Sequence, residues 1–404
     1  MFRKHFFSFF LLACAFMQQI AAADYPVAEK AIAELLKNSH AATILAVAVK
    51  DGKIVWEGAY GQSDVTRGIK AKPDTMIRVA SISKTFTATA LMTLFEQGKF
   101  QLNEDISTAL GYKVRNPNYP DTPITYLQLL THTSSIVDSD SYGSLINATF
   151  SGTIPSVKEF LVPGGKYYSK SNFGSYKPGS GTFNYSNFCF GLLGTLVEKL
   201  SGKRFDIFVR ENVLSKLKIR GSFNIQDIAD INKVAVCYRY NASGPQASTD
   251  NFGGVKPAAP NLSSYKPGTN AMYFGPQGGL RVSARDLAAF MLMFLNKGTY
   301  GDNQILKPET VSLMLEKHWE GNGFGGLYKK KGLGIHITDD FVPGVEMYGH
   351  VGIAYGIRSD MYFSPAKNSG MAFILNGANP AQSGVYTDAE ERLAQIIASE
   401  ILGL

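Results

Sequence analysis

The stretch Val79-Ala80-Ser81-Ile82-Ser83-Lys84 leads into a helix expected over residues 82–97 and sets a serine and a lysine three residues apart. Residues at that spacing share one helix face. A serine hydroxyl is a weak nucleophile at neutral pH and needs a base within hydrogen-bond reach. Lys84, on the buried side of the first turn, is expected to be partly desolvated, which lowers its pKa and eases proton exchange with Ser81. At a helix N-terminus Ser81 also meets free backbone N–H groups and the macrodipole, which favour developing negative charge. Capping is the commonest job of a serine there. Ser-x-x-Lys occurs four times, at Ser81, Ser215, Ser263 and Ser364, and only Ser81 opens a good helix.

Two further triplets follow downstream, Tyr185-Ser186-Asn187 and His350-Val351-Gly352, and each pattern, Tyr-x-Asn and His-x-Gly, occurs once. Tyr185 acts as a base only if its phenolate is stabilised, since an unperturbed phenol titrates near about 10. A cation such as Lys84 would do that. The Asn187 amide is suited to hold Lys84 and to bond a substrate carbonyl. Asn184, Ser186 and Asn187 also read as turn and cap formers ahead of a helix. His350 lies on an expected strand, where it would polarise Tyr185 or contact substrate. Gly352 is expected to allow a substrate close to the backbone, and the N–H of Ile353 to complete an oxyanion hole with that of Ser81.

With 404 residues, 45% hydrophobic and 18% charged, the chain is long enough to bury a large core and is not disordered in composition. Met1-Phe2-Arg3-Lys4-His5, an apolar run and Ala21-Ala22-Ala23 form the basic, apolar and small-residue regions of a secretory signal peptide. The apolar run is broken by Gln18-Gln19 and is short for a membrane span. Export to the periplasm or beyond is therefore expected, with a signal peptide at 1–23. A lipoprotein site at Cys14 is the weaker alternative. Loss of residues 1–23 removes Arg3 and Lys4 and lowers the formal charge from +7 to +5. Lys329-Lys330-Lys331 reads as a solvated loop, not a nucleic-acid patch. Cys189 and Cys237 then remain, and two buried thiols are expected. The scattered histidines imply no metal, no motif implies a cofactor, and a small-molecule partner is expected.

Helical spacing marks residues 27–36, and two strand-like runs, 43–50 and 53–60, flank Asp51-Gly52, a hairpin turn signal. Strands are expected again at 334–337, 346–350, 357–363 and 370–376, with a closing amphipathic helix over 388–402. The middle reads as helices over 82–97, 125–130, 188–200, 205–214 and 284–295, punctuated by Gly98, Gly202 and Gly298. Long polar, aromatic-rich loops at 166–182 and 241–270 are expected to be functional rims. The fold class is α+β: an antiparallel sheet from both chain ends, flanked by helices, with a mostly helical lobe inserted. The catalytic domain would span 24–404, its sheet lobe about 24–80 and 330–404, its helical lobe about 81–329.

These motifs resemble the serine β-lactamase-like family, which includes class C β-lactamases, D-Ala-D-Ala carboxypeptidases and related esterases. The resemblance extends to Leu129-Leu-Thr-His-Thr-Ser134, to Lys177-Pro-Gly179 through Leu200-Ser-Gly202, and to Gly278-Gly279-Leu280 with Ser283-Ala-Arg-Asp-Leu287. It covers roughly residues 40 to 380. It implies that Ser81 is the acylated nucleophile, that Lys84 and Tyr185 share the acid/base work, and that Asn187 assists. His350 stands where β-lactamases usually carry lysine. That removes a cation suited to a substrate carboxylate, which Arg358, one strand step away, is a candidate to replace. Ser135 stands where glycine is frequent, and Ile353 where a small residue is common. The expected activity is serine hydrolysis of small esters or D-alanyl, peptidoglycan-derived peptides. The alternatives are a class C-like β-lactamase and a catalytically inert wall-fragment or partner-binding module.

Overall fold

The computed structural model describes residues 25–152, 154–382 and 384–404; the expected signal peptide at 1–23, with Cys14, lies outside the described residues. Strand β1 (Thr43–Lys50) is buried along nearly its whole length, as a strand covered on both faces must be. Asp51 and Gly52, at φ +51° and +78°, turn it into β2 (Lys53–Asp64), the left-handed pair that an Asp-Gly hairpin calls for. β3 (Ile69–Lys70) edges the sheet on that side. The C-terminal part of the chain adds β4 (Trp319–Glu320), β5 (Lys330–Lys331), β6 (His336–Thr338), β7 (Met347–Ala354), β8 (Ile357–Ser364) and β9 (Ser369–Asn376).

The order is β4-β5-β6-β7-β8-β9-β1-β2-β3. Every pair is antiparallel, and β1 meets β9 with Thr43 opposite Asn376 and Lys50 opposite Ser369. Both chain ends thus share one sheet, as the hydropathy pattern predicts. The sheet begins at Trp319, ahead of the expected position 330. Ile77–Arg78 leaves it and pairs with Arg281–Val282, which carries the chain off the sheet just before Ser81.

The main helices are α1 (Pro26–Asn38), α2 (Ser83–Glu96), α3 (Asp140–Phe150), α4 (Asn187–Ser201), α5 (Ala284–Leu295) and α6 (Asp388–Ile396), the last continued as a wider turn over Ile397–Leu402. α5 packs on β1, β8 and β9, while α1, α6 and the turn after it pack together and cover the other face. Capping boxes start α5 at Ser283 and α6 at Thr387. The helix α3 has no counterpart in the sequence expectations. Its buried side is only Leu145 and Thr149, too sparse for a periodic signal.

α2 is buried from Ser83 through Leu94, so its polar residues need internal partners. Thr85 Oγ1 donates to Ile82 O (2.8 Å), Thr87 Oγ1 to Pro276 O (2.8 Å) and Thr89 Oγ1 to Thr85 O (2.9 Å). The helix therefore crosses the middle of the core without unpaired hydroxyls, and that burial surrounds Lys84. Cys189 and Cys237 are free, buried thiols. No helix of the described residues is long and apolar enough to cross a membrane.

Candidate active site

Ser81 sits on a tight turn, Ala80–Ile82, between the Ile77–Arg78 pair and α2. Ala80 takes φ +45°, a left-handed conformation that costs a non-glycine residue on the order of 1–3 kcal/mol. Surrounding bonds hold it there. Val79 N–H donates to Leu280 O (3.0 Å), Ser359 Oγ donates to Val79 O (3.0 Å), and Leu280 N–H donates to Ser83 Oγ (3.0 Å). β7 presses on the turn from below. A Cβ at Gly352 would lie 2.4 Å from Val79 O and 3.2 Å from Ala80 Cβ. The missing side chain at 352 therefore admits the turn that carries Ser81. The space at Gly352, expected to admit substrate, is taken by the turn itself.

Lys84 Nζ lies 2.9 Å from Ser81 Oγ, 2.8 Å from Asn187 Oδ1 and 2.6 Å from Gln277 O. Two of these partners are carbonyl oxygens, which only accept. A neutral Lys84 keeps both of those bonds with its two hydrogens and turns its lone pair to Ser81. The ammonium is disfavoured as well. Complete burial pushes the Lys84 pKa down to about 7, Lys331 adds repulsion, and Asp138 partly opposes both.

Asn187 is the first residue of α4, and Asp138 holds it in place. One Asp138 oxygen accepts from Asn187 N (2.8 Å) and Asn187 Nδ2 (3.0 Å); the other accepts from Ser186 Oγ (2.8 Å) and Phe188 N (2.9 Å). A carboxylate at a helix N-terminus is itself favourable. With Nδ2 tied to Asp138, the asparagine must present Oδ1 to Lys84. Asp138 went unnoticed in the sequence, because a lone aspartate in a loop carries no local signal.

The Tyr185 hydroxyl is buried beside Ser81 and the Tyr328 hydroxyl, with no hydrogen bond of ordinary geometry among the described residues. Burial pushes its pKa well above that of a free phenol, Asp138 adds to the rise, and its contacts with Ser81 and Tyr328 only partly offset it. Its ring has Lys84 Nζ 4.9 Å from the centroid. His132 packs at 4.5 Å and Tyr328 stacks at 5.0 Å, within 6° of parallel. His132 Nδ1 accepts from Ser186 N–H (3.1 Å), so the Leu-Leu-Thr-His-Thr-Ser segment fixes the tyrosine loop. Ser135, at the position where glycine was expected, takes φ +64° and accepts from Asn116 Nδ2 (2.9 Å).

His350 is fully buried on β7. Its Nδ1 is 2.6 Å from Val351 O; the carbonyl accepts, so Nδ1 carries the hydrogen. Burial, Lys331 and Lys84 lower its pKa well below that of free imidazole, and the ring is neutral. It packs 5.2 Å from Tyr328 and 6.2 Å from Tyr185, behind the tyrosines and off the groove wall. Ile353 is 48% exposed and lines the groove. Arg358 does not join the group. Its guanidinium lies 3.7 Å from Glu390 of α6, because its side chain projects from the sheet face opposite that of Ser359, which bonds the Ser81 turn. Lys331 corrects another expectation: it is fully buried, not part of a solvated loop.

Ser81 opens onto a groove of about 640 Å³. Tyr142, Ile146 and Phe150 of α3 line it together with Tyr273 and Phe274, the Phe150 and Tyr273 rings stacking at 5.6 Å. Of the two expected rim loops, 241–270 reaches the groove with Pro257, Ala258 and Pro260; no residue of 166–182 lines it. The charged lining residues are Arg78 and Arg281, and Asp250 binds both: Arg78 at 3.1 Å and Arg281 at 2.6 and 2.8 Å.

An antiparallel sheet with an inserted helical lobe, and a serine–lysine turn at their junction, define the penicillin-binding-protein and β-lactamase class of fold. The Beta-lactamase family model matches residues 28–396, and the chain belongs to that family of serine hydrolases. Protein flp of Staphylococcus aureus (strain MRSA252) is 28% identical over 218 residues, 54% of this chain and 42% of that protein. The chain spans less than half the length of the flp proteins it matches. Among solved structures, the octameric penicillin-binding protein homologue from Pyrococcus abyssi superposes with a TM-score of 0.70 at 23% identity, over 93% of this chain and 77% of that one. The D-amino acid amidase from Ochrobactrum anthropi SV3, complexed with L-phenylalanine amide, gives 0.67 at 18% identity, over 93% and 99%.

Proposed function

We propose that the protein is an exported serine hydrolase that forms an acyl-enzyme on Ser81 and cleaves D-aminoacyl amides, short D-alanyl peptides or small esters. One observation carries this reading: Lys84 Nζ, bonded to two carbonyl oxygens, has among the described residues only Ser81 Oγ left to which its lone pair can turn. Ser81 Oγ gives its proton to Lys84, or to Tyr185 once that phenol has ionised, and attacks the substrate carbonyl. The C–O bond formed leaves a tetrahedral oxyanion, which the N–H groups of Ser81 and Ile353 would receive. Collapse expels the amine or alcohol, which takes the proton back from the Lys84–Tyr185 pair. Water then repeats the sequence on the acyl-enzyme, with the same pair as base, and releases the acid.

The aromatic residues of the groove support a substrate with an apolar side chain. Tyr142, Phe150, Tyr273 and Phe274 supply apolar surface among amide side chains, and one Asp250 carboxylate is shared by both arginines, which leaves one positive charge in the groove. His350 supplies no charge for a substrate carboxylate, which argues against β-lactams as the main substrates. The D-amino acid amidase, similar in fold, supports amides as the first class to try. The test is hydrolysis of D-phenylalanine amide and its methyl ester by wild type and Ser81→Ala. Turnover lost in the variant supports the proposal. Equal background rates from both proteins would reject it.

A further inference from the structure

Lys331 is fully buried on β5, and its Nζ has no hydrogen-bond partner among the described residues. A buried amine in that state is costly, and no step of the proposed reaction uses it. Its place follows from register: Lys331 lies opposite His336, and His336 opposite Gly349, the neighbour of His350. Tyr328, at φ +60°, donates its N–H to His336 Nε2 (3.1 Å), and His336 Nδ1 is 2.7 Å from Tyr362 Oη. Thus fixed, Tyr328 stacks on Tyr185. Each ring of this pair has one lysine nitrogen over it: Lys84 at 4.9 Å from the Tyr185 centroid, Lys331 at 5.1 Å from the Tyr328 centroid.

We propose that Lys331 is a positioning residue of the Ser81 machinery, its amine set across the stacked Tyr328 and Tyr185 rings from Lys84 so that repulsion drives the Lys84–Tyr185 pair into its proton-accepting form. The inference rests on Ser81 being the nucleophile. Two ammonium groups in one dry region repel. While Lys331, whose own pKa burial lowers to about 7, keeps its charge, loss of the Lys84 proton relieves that repulsion and leaves a base facing Ser81. The other titratable groups facing the pair are His132, His336 and His350, which burial and Lys331 keep neutral. Asp138 acts on Lys84 from α4's side and Asp360 on Tyr328 from β8. With His350 neutral, the positive charge near Tyr185 that would come from a lysine on β7 comes instead from β5.

The test is the rate of fluorophosphonate labelling of Ser81 against pH, in wild type and in Lys331→Met, which keeps bulk and loses charge. Steps of 4.9, 5.0 and 5.1 Å link the two nitrogens through the ring centroids, so they lie no more than about 15 Å apart. At that upper limit and an effective dielectric constant of about 20, removing one charge raises the Lys84 pKa by at least roughly 0.8 unit. The acid limb of the variant should move up by at least that amount, slowing labelling at least about six-fold below pH 7 and leaving it unchanged at high pH. Lys331→Leu repeats the measurement should the methionine variant not fold. A limb that stays in place in a folded variant overturns the inference. A wild type that is never labelled would instead reject the reading of Ser81.

Discussion

Asp138→Asn offers a sharp prediction, because it keeps shape and removes charge from the residue that orients Asn187. The carboxylate accepts four hydrogen bonds, two on each oxygen. An asparagine has one oxygen and one NH2 group, so two donors must face a donor. The Ser186 hydroxyl is free to rotate and accept, so the lower-cost orientation turns NH2 toward Ser186 and Phe188. The Phe188 N–H then loses its partner. One unsatisfied buried N–H costs about 1–3 kcal/mol, and loss of a negative charge at the start of α4 adds about 0.3–1 kcal/mol. The expected loss is about 1.3–4 kcal/mol, read as a lower urea midpoint. The variant should also shift the acid limb of Ser81 labelling downward, because Asp138 holds the Lys84 pKa up. That is opposite to the shift for Lys331→Met. An unchanged midpoint together with an unshifted limb would refute the role assigned to Asp138.

Other perturbations follow from the same geometry. Gly352→Ala places a Cβ 2.4 Å from Val79 O, which displaces the Ser81 turn; labelling should fall by at least about ten-fold, equivalent to about 1.4 kcal/mol, and a wild-type rate would contradict the packing. Tyr185→Phe removes the hydroxyl beside Ser81 and keeps the ring; turnover should drop by about 10²–10⁴-fold, measured as kcat on whichever ester or amide is cleaved. Lys331→Met should stabilise the fold. The folded pKa of Lys331, about 7, lies below the unfolded value of about 10.4, so its burial penalty applies in full below pH 7 and fades as pH rises toward 10. The gain, up to about 5 kcal/mol at pH 6 and about 1.5 kcal/mol at pH 9.5, is read from urea midpoints at the two values.

The parts of the fold that could be read in the sequence are those with local causes. Asp51-Gly52 forces its turn whatever surrounds it, and the apolar runs at 43–50, 357–363 and 370–376 have no stable place except a covered sheet. The Ser81–Lys84 pairing needs only a helix start. What stayed hidden depends on contacts made across long separations. Asp138 meets α4 about fifty residues downstream, and nothing in its neighbours marks it. Lys331 stands in a basic run that reads as surface, yet β5 places it against Tyr328 and the sheet covers it. Arg358 lies one strand step from Ile353, but the pleat sends it to Glu390. Gly352 marks a close approach, and the visitor is the Ser81 turn, a contact across the chain that no local pattern carries.

The most direct test of the account is the intact mass of the protein after incubation with a fluorophosphonate, followed by peptide mapping and repeated on Ser81→Ala. The account predicts one adduct per chain, on the peptide carrying Ser81, formed faster as pH rises through about 7, where Lys84 loses its proton, and absent from the variant. An adduct that persists in Ser81→Ala, or a folded wild type that forms none, would contradict the claim that Ser81 is an activated nucleophile.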